Sequence, residues 1–276
     1  MNTDKKTEMI WWIAKHRRLM YALGFICMVI LDAYLMSFDI PVWLVFVIVC
    51  VPWVYYCRYV DSCPQRAQVD SLRELSLWCD PNPLLRDTDN LLDYKHGPVN
   101  RAIVSLNHSL AWRELGEYGK AYEQMIALKK KMSKRMNVLV KFTLLNNLAD
   151  ACTMLGRYDE AEHYYENLLE MYRNMPEKKR NAYNEQSVRE AKADHFYRQG
   201  EYGQVLELLA SVKPYNLKEE VSVSLLQAKA YLKLGDMEKA REKLDYVIKK
   251  GNKLYAVTEA KQLMETIHNG AESEER

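Results

Sequence analysis

Six histidines and six cysteines are the residues of this 276-residue chain best suited to acid–base, nucleophilic or metal chemistry. The histidines are His16, His96, His108, His163, His195 and His268, and none has a ligand partner at helical spacing. His163 with Glu166 or Glu170 reads as a helix-surface pair, and His195 reads the same way. Cys27, Cys50, Cys57, Cys63, Cys79 and Cys152 include no C-x-x-C pair, and several sit in or beside apolar runs. They read as reduced thiols acting as small apolar residues rather than as a disulfide framework. The metalloprotease H-E-x-x-H, the hydrolase G-x-S-x-G and both phosphate-binding glycine loops are absent. The expectation is that the protein is not an enzyme and uses no cofactor, metal or catalytic residue.

Charge narrows the partners. Lys and Arg total 39 against 37 Asp and Glu, a net charge of +2. Nucleic-acid binders usually carry a clear basic excess, so no nucleic acid is expected as a partner. The charge is unevenly spread. Residues 19–57 hold Asp32 and Asp39 and no basic residue, which reconciles 49% apolar residues with a mean hydropathy of -0.37.

That uncharged block contains two apolar runs, Leu19–Met36 and Pro41–Cys57, separated only by Ser37, Phe38, Asp39 and Ile40. Each run is near the lower length that crosses a hydrocarbon core, about 17–25 residues. The pattern reads as a helical hairpin in a lipid bilayer through residues 19–60. A cleaved signal peptide would need small residues after the first run, where Leu35, Met36, Ser37 and Phe38 stand. Lys15, Arg17 and Arg18 precede the first run, Arg58, Arg66 and Arg73 follow the second, and the loop has no basic residue. The positive-inside rule then puts both termini in the cytoplasm of an integral protein of the plasma membrane. Trp11, Trp12, Trp43, Trp53, Tyr55, Tyr56 and Tyr59 fall near the interfaces. Asp32 lies five residues from the loop and reads as facing the outer headgroups, with an intramembrane role kept open. Pro52 is a candidate kink.

Beyond the hairpin, Val69, Leu72, Leu75 and Trp78 mark a short amphipathic helix, followed by the breaker-rich stretch 80–98. Then the chain repeats. LGEYGKA, LGRYDEA, QGEYGQV and LGDMEKA recur with glycines at 116, 156, 200 and 235. An amphipathic segment precedes and follows each one, so each unit predicts helix, tight turn, helix, with Gly leaving the first helix.

These units resemble tetratricopeptide repeats, whose pattern joins a first-helix aromatic, a Gly-x-Tyr turn and a second-helix Ala. Leu145, Leu148, Ala149, Gly156, Tyr158, Ala161 and Tyr165 carry the likeness in the second unit; Ala228, Tyr231, Gly235, Ala240 and Leu244 carry it in the fourth. The first unit keeps Trp112, Gly116, Tyr118 and Ala121, whereas the third has Val205 where Ala is usual. The family period is about 34 residues, so the glycine gaps of 40 and 44 predict extra residues near 136–141 and 176–185.

The resemblance implies an all-α fold, a transmembrane hairpin followed by an α-solenoid. The expected order is a basic, aromatic segment (1–18), the hairpin (19–60), a juxtamembrane linker (61–100), about four repeats with a capping helix (101–268) and a polar tail (269–276). It also implies a concave face that binds a peptide or helix of an unspecified protein partner. The family's groove positions fall here on Asn146, Asn147, Asp150, Asp194, Tyr197, Arg198 and Lys229. The family's basic clamp for carboxylate tails is missing, because Leu106, Leu110, Ser187 and Ala191 occupy its places. The expected function is a membrane-anchored interaction scaffold. The alternative is a non-catalytic accessory subunit of a larger membrane complex in transport, secretion or envelope assembly, with self-association through the hairpin open to either.

Overall fold

The computed structural model describes residues 3–38, 40–93, 98–132 and 136–274. Asp39 of the hairpin turn and His96 lie outside the described residues. Among the described residues the fold is all-α, with thirteen helices and no strand. It divides into two compact units, Met1–Asp70 and Ser71–Arg276.

The first unit contains α1 (Thr3–Lys15), α2 (Arg17–Leu35) and most of α3 (Val42–Trp78). Helices α2 and α3 are each long and apolar enough to cross a membrane. α2 buries none of its side chains. Ile10 and Ile13 of α1 pack with Val60, Cys63 and Ala67 of α3. Two tyrosines tie α2 to α3: the Tyr21 hydroxyl donates to Asp61 at 2.5 Å and the Tyr56 hydroxyl to the Met20 carbonyl at 2.9 Å. α3 is assigned as one helix through Pro52 and Pro64. The short helix expected over 65–79 is therefore the end of α3 rather than a separate element.

The second unit is a series of helix pairs. α4 (Asn82–Leu92) leads into α5 (Pro98–Glu114) and α6 (Tyr118–Lys131), α7 (Val138–Met154) and α8 (Tyr158–Arg173), α9 (Ala182–Gln199) and α10 (Tyr202–Ala210), and α11 (Leu217–Leu234) and α12 (Met237–Lys250), closed by α13 (Tyr255–Glu274). The turn glycines Gly116, Gly156, Gly200 and Gly235 all have positive φ, between 71° and 82°. The opposite ends of α7, α9 and α11 share another device. Asn137, Asn181 and Asn216 cap them, each side-chain oxygen accepting from an N–H of the first turn. The long glycine gaps are mostly helix rather than loop: α6 has 14 residues and α8 has 16, against 9 in α10. Only the second gap adds more, a 3₁₀ turn at Glu177–Lys179.

Residues 80–92 do not behave as a linker. Leu84 and Leu91 of α4 are fully buried, with Asp87 and Thr88 beside them. Ser71 donates a hydrogen bond to Asp87. The start of the unit also meets its end. Leu75, Cys79, Leu84 and Ala111 form one apolar cluster with Val221, Leu225 and Ala228 of α11, Leu244 and Val247 of α12, Leu254 just before α13, and Ala260 and Ile267 of α13. Asn252 donates to the Trp78 carbonyl at 2.7 Å, the Lys253 N–H to the Cys79 carbonyl at 3.2 Å, and Lys253 pairs with Asp80 at 2.7 Å. The first and last parts of the second unit thus pack on each other, a contact the resemblance did not foretell.

Candidate functional site

The inner helices of the closed array surround a cavity of about 210 Å³. Its wall follows the glycine register. Counting back ten, six and two residues from each turn glycine gives Asn146, Asp150 and Met154 on α7, Glu190, Asp194 and Arg198 on α9, Leu225 and Lys229 on α11, and Glu114 on α5, all of which line it. Steps of four keep residues on one helical face; all three positions line the cavity on α7 and α9, two do on α11 and one on α5. Arg113, Lys218 and Glu259, with Tyr118, Tyr165 and Tyr255, add charged and aromatic lining from outside this register.

The wall is a network of ion pairs. Arg113 lies 2.9 Å from Asp150 and 2.9 Å from Glu114, and also donates to the Asn147 side-chain oxygen at 3.2 Å. Lys218 reaches the same Glu114 carboxylate at 2.9 Å. Lys229 pairs with Glu259. Arg198 bonds Thr153 at 2.9 Å and Glu162 at 3.3 Å, and Glu162 also pairs with His195, which stacks on Tyr165. Burial pushes the Glu114 carboxyl upward, but Lys218 and Arg113 outweigh it and hold the group below its usual range. Lys218 moves up because Glu114 overcomes the burial that would lower it.

Two carboxylates stand apart from this pairing. Glu190 accepts only an amide bond from Gln186 at 3.0 Å, and burial raises its pKa. No ion pair or hydrogen bond reaches Asp194 among the described residues; burial first, and the Asp150 carboxylate second, push its pKa up to about 7.

Residues 142–175, which span α7, its glycine turn and α8, match the family model of the tetratricopeptide repeat. The helical array is of the tetratricopeptide type. The matched stretch holds Asn146, Asp150 and Met154, so one wall of the cavity belongs to the recognised repeat. No curated protein and no solved structure matches the chain.

Within this tetratricopeptide array the residues expected at the groove separate into two groups. Asn146, Asp150, Asp194, Arg198 and Lys229 come together around the cavity. Asn147 does not line it: the side chain is buried, 8% exposed, and serves as a support for Arg113. Tyr197 turns toward α10, its ring 5.4 Å from that of Tyr202. Glu114 shares the register that places Asp194 and Arg198, which is the signal that could have marked it. Lys218, Tyr255 and Glu259 enter only because the array closes, and no repeat register announces them.

His108 is bonded by both ring nitrogens, to Gln124 and to Asp89, each at 2.7 Å. All six cysteines are free thiols. Among the described residues no three His, Cys, Asp or Glu side chains are grouped to hold a metal ion.

Proposed function

We propose that the protein is a membrane-anchored scaffold that captures a segment of a cytoplasmic partner in the cavity of its tetratricopeptide array. The observation that carries this reading is the cavity, with polar groups from five inner helices converging on one space and two carboxylates, Glu190 and Asp194, in no ion pair among the described residues. Concave surfaces of stacked repeats are the usual binding face of such arrays. The wall holds no nucleophile paired with a base, so binding rather than chemistry is the use its groups support.

Anchoring rests on the first unit. At about 1.5 Å per residue, the 19 residues of α2 reach about 28 Å, close to a hydrocarbon core of about 30 Å. Leu23, Phe25, Ile26, Val29 and Ile30 of α2 are all more than 40% exposed, an apolar surface that lipid would cover. The basic residues flanking both spans, and their absence from the turn, favour cytoplasmic termini.

The test is a pull-down of full-length protein from mild detergent, analysed by mass spectrometry, beside a Ser222→Trp variant that fills the cavity from α11. The expected result is loss of partners with helicity and melting retained. A folded variant that keeps the full partner set would move capture away from the cavity and favour the accessory-subunit alternative.

A further inference from the structure

We infer that the cavity recognises a cationic group, an ammonium or guanidinium on an extended stem, held between Glu190 and Asp194. The inference rests on the capture reading above and names the chemistry that reading leaves open.

The charge balance of the wall points to this class. Its four cations, Arg113, Arg198, Lys218 and Lys229, each meet a carboxylate at 3.3 Å or less. An anionic ligand would have to compete with those carboxylates for cations that are already engaged. A cation breaks nothing. Glu190 and Asp194 stand one turn apart on the cavity face of α9, with oxygens committed to one amide bond in the first case and to none in the second. Tyr118, Tyr165 and Tyr255 add aromatic rings to the lining, a second element that suits a cation. A space of about 210 Å³ admits a single side chain or a small amine rather than a folded domain.

The protonation state of the wall gives a readout that a purely structural role would lack. The charged groups acting on Asp194 are Asp150 from α7, Glu190 and Arg198 from its own helix, and Lys229 from α11. From the other two helices packed on α9, the cavity receives Tyr165 of α8 and Leu209 of α10. With Asp194 titrating at about 7, an incoming cation must displace a proton at lower pH and need not at higher pH.

Two sources share this chemistry: a Lys or Arg side chain of a partner, and a free polyamine. Isothermal titration of the full chain in detergent micelles separates them with three probes, acetyl-Gly-Lys-Gly-amide, its Glu counterpart and spermidine. The expected result is binding of the Lys peptide and not the Glu peptide, strengthening several-fold from pH 6 to pH 8. The Glu190→Gln, Asp194→Asn double variant, which neutralises both groups at nearly constant shape, should weaken the Lys peptide at least tenfold. Spermidine binding tighter than the Lys peptide would assign the cation to a free polyamine.

Equal or tighter binding of the Glu peptide, or unchanged Lys-peptide affinity in the folded double variant, would overturn the inference. So would a wild-type affinity that falls with pH, a measurement that stands even if the double variant fails to fold. The two readings fail separately in the pull-down. If Ser222→Trp loses the partners and the double variant keeps them, capture stands and the cation falls. If folded Ser222→Trp keeps them, capture itself falls.

Discussion

Arg113 holds the charge balance of the cavity wall together. Its guanidinium contacts Asp150, Glu114 and Asn147, and only 13% of its side chain is exposed. Removing it leaves Asp150 without its cation and Glu114 with Lys218 alone, and breaking a buried pair from one side typically costs about 3–5 kcal/mol. Arg113→Ala is expected to destabilise the protein by about 3 kcal/mol, read from denaturant unfolding of the detergent-solubilised chain. Arg113→Lys should recover only part of this, because an ammonium cannot reproduce the two-sided fork.

Asp194 carries the opposite sign. Its pKa is raised in the folded state, so between the unfolded value near 4 and about 7 the native protein binds the extra proton. This group therefore contributes stability at low pH that is lost as pH rises through that window. Asp194→Asn should melt higher than wild type at pH 8 and nearly level with it at pH 4.5. A difference that is constant with pH would show that the carboxylate is not desolvated as described.

At the scale of elements, the turn glycines carry different loads. Gly116 and Gly156 both have left-handed backbones, where a Cβ costs about 1 kcal/mol. A Cβ on Gly156 meets nothing within 4 Å, whereas one on Gly116 would run into the Tyr255 ring that packs there from α13. Gly156→Ala is expected to cost about 1 kcal/mol and Gly116→Ala clearly more, measured as changes in unfolding midpoint. Tyr255→Ala should remove much of the excess in a double-mutant cycle.

The same glycines explain what was legible beforehand. They mark helix ends, so the helix pairs follow from counting, and Asn146, Asp150, Asp194, Arg198 and Lys229, expected from the family's groove positions, keep a fixed offset from them. Asn147 sits one position off the row, which turns it from the cavity to a buried place beneath Arg113. Tyr197 is also one position off, and packs on α10. The closure was not legible, because Leu75, Cys79 and Leu84 look like any amphipathic residues until Leu254 and Ile267 are known to cover them. The breaker-rich composition of 80–98 likewise hid α4, whose prolines fall at its beginning, where a missing N–H costs little.

For the whole molecule, the arrangement in the membrane is the property to establish first. With a Cys-free background and Ser37→Cys in the turn between α2 and α3, an impermeant maleimide should label intact cells. Labelling that requires permeabilisation would invert the proposed topology. Closure also changes how the second unit should unfold. Open repeat arrays lose stability repeat by repeat from their ends. Here the last helices cover the first, so a chain truncated before Gly251 should lose the cooperative transition of the entire second unit, seen as a broad, early melt by circular dichroism.

Synthesis meets the same feature in order of time. Leu75, Cys79, Leu84 and Ala111 leave the ribosome well before Leu254 and Ala260, which cover them in the finished protein. At about 5–20 residues per second, the delay is on the order of ten seconds. Throughout that interval the nascent chain presents an uncovered apolar face. The interval ends only when α13 has emerged, so the face formed at the start of the second unit stays bare until that helix is made.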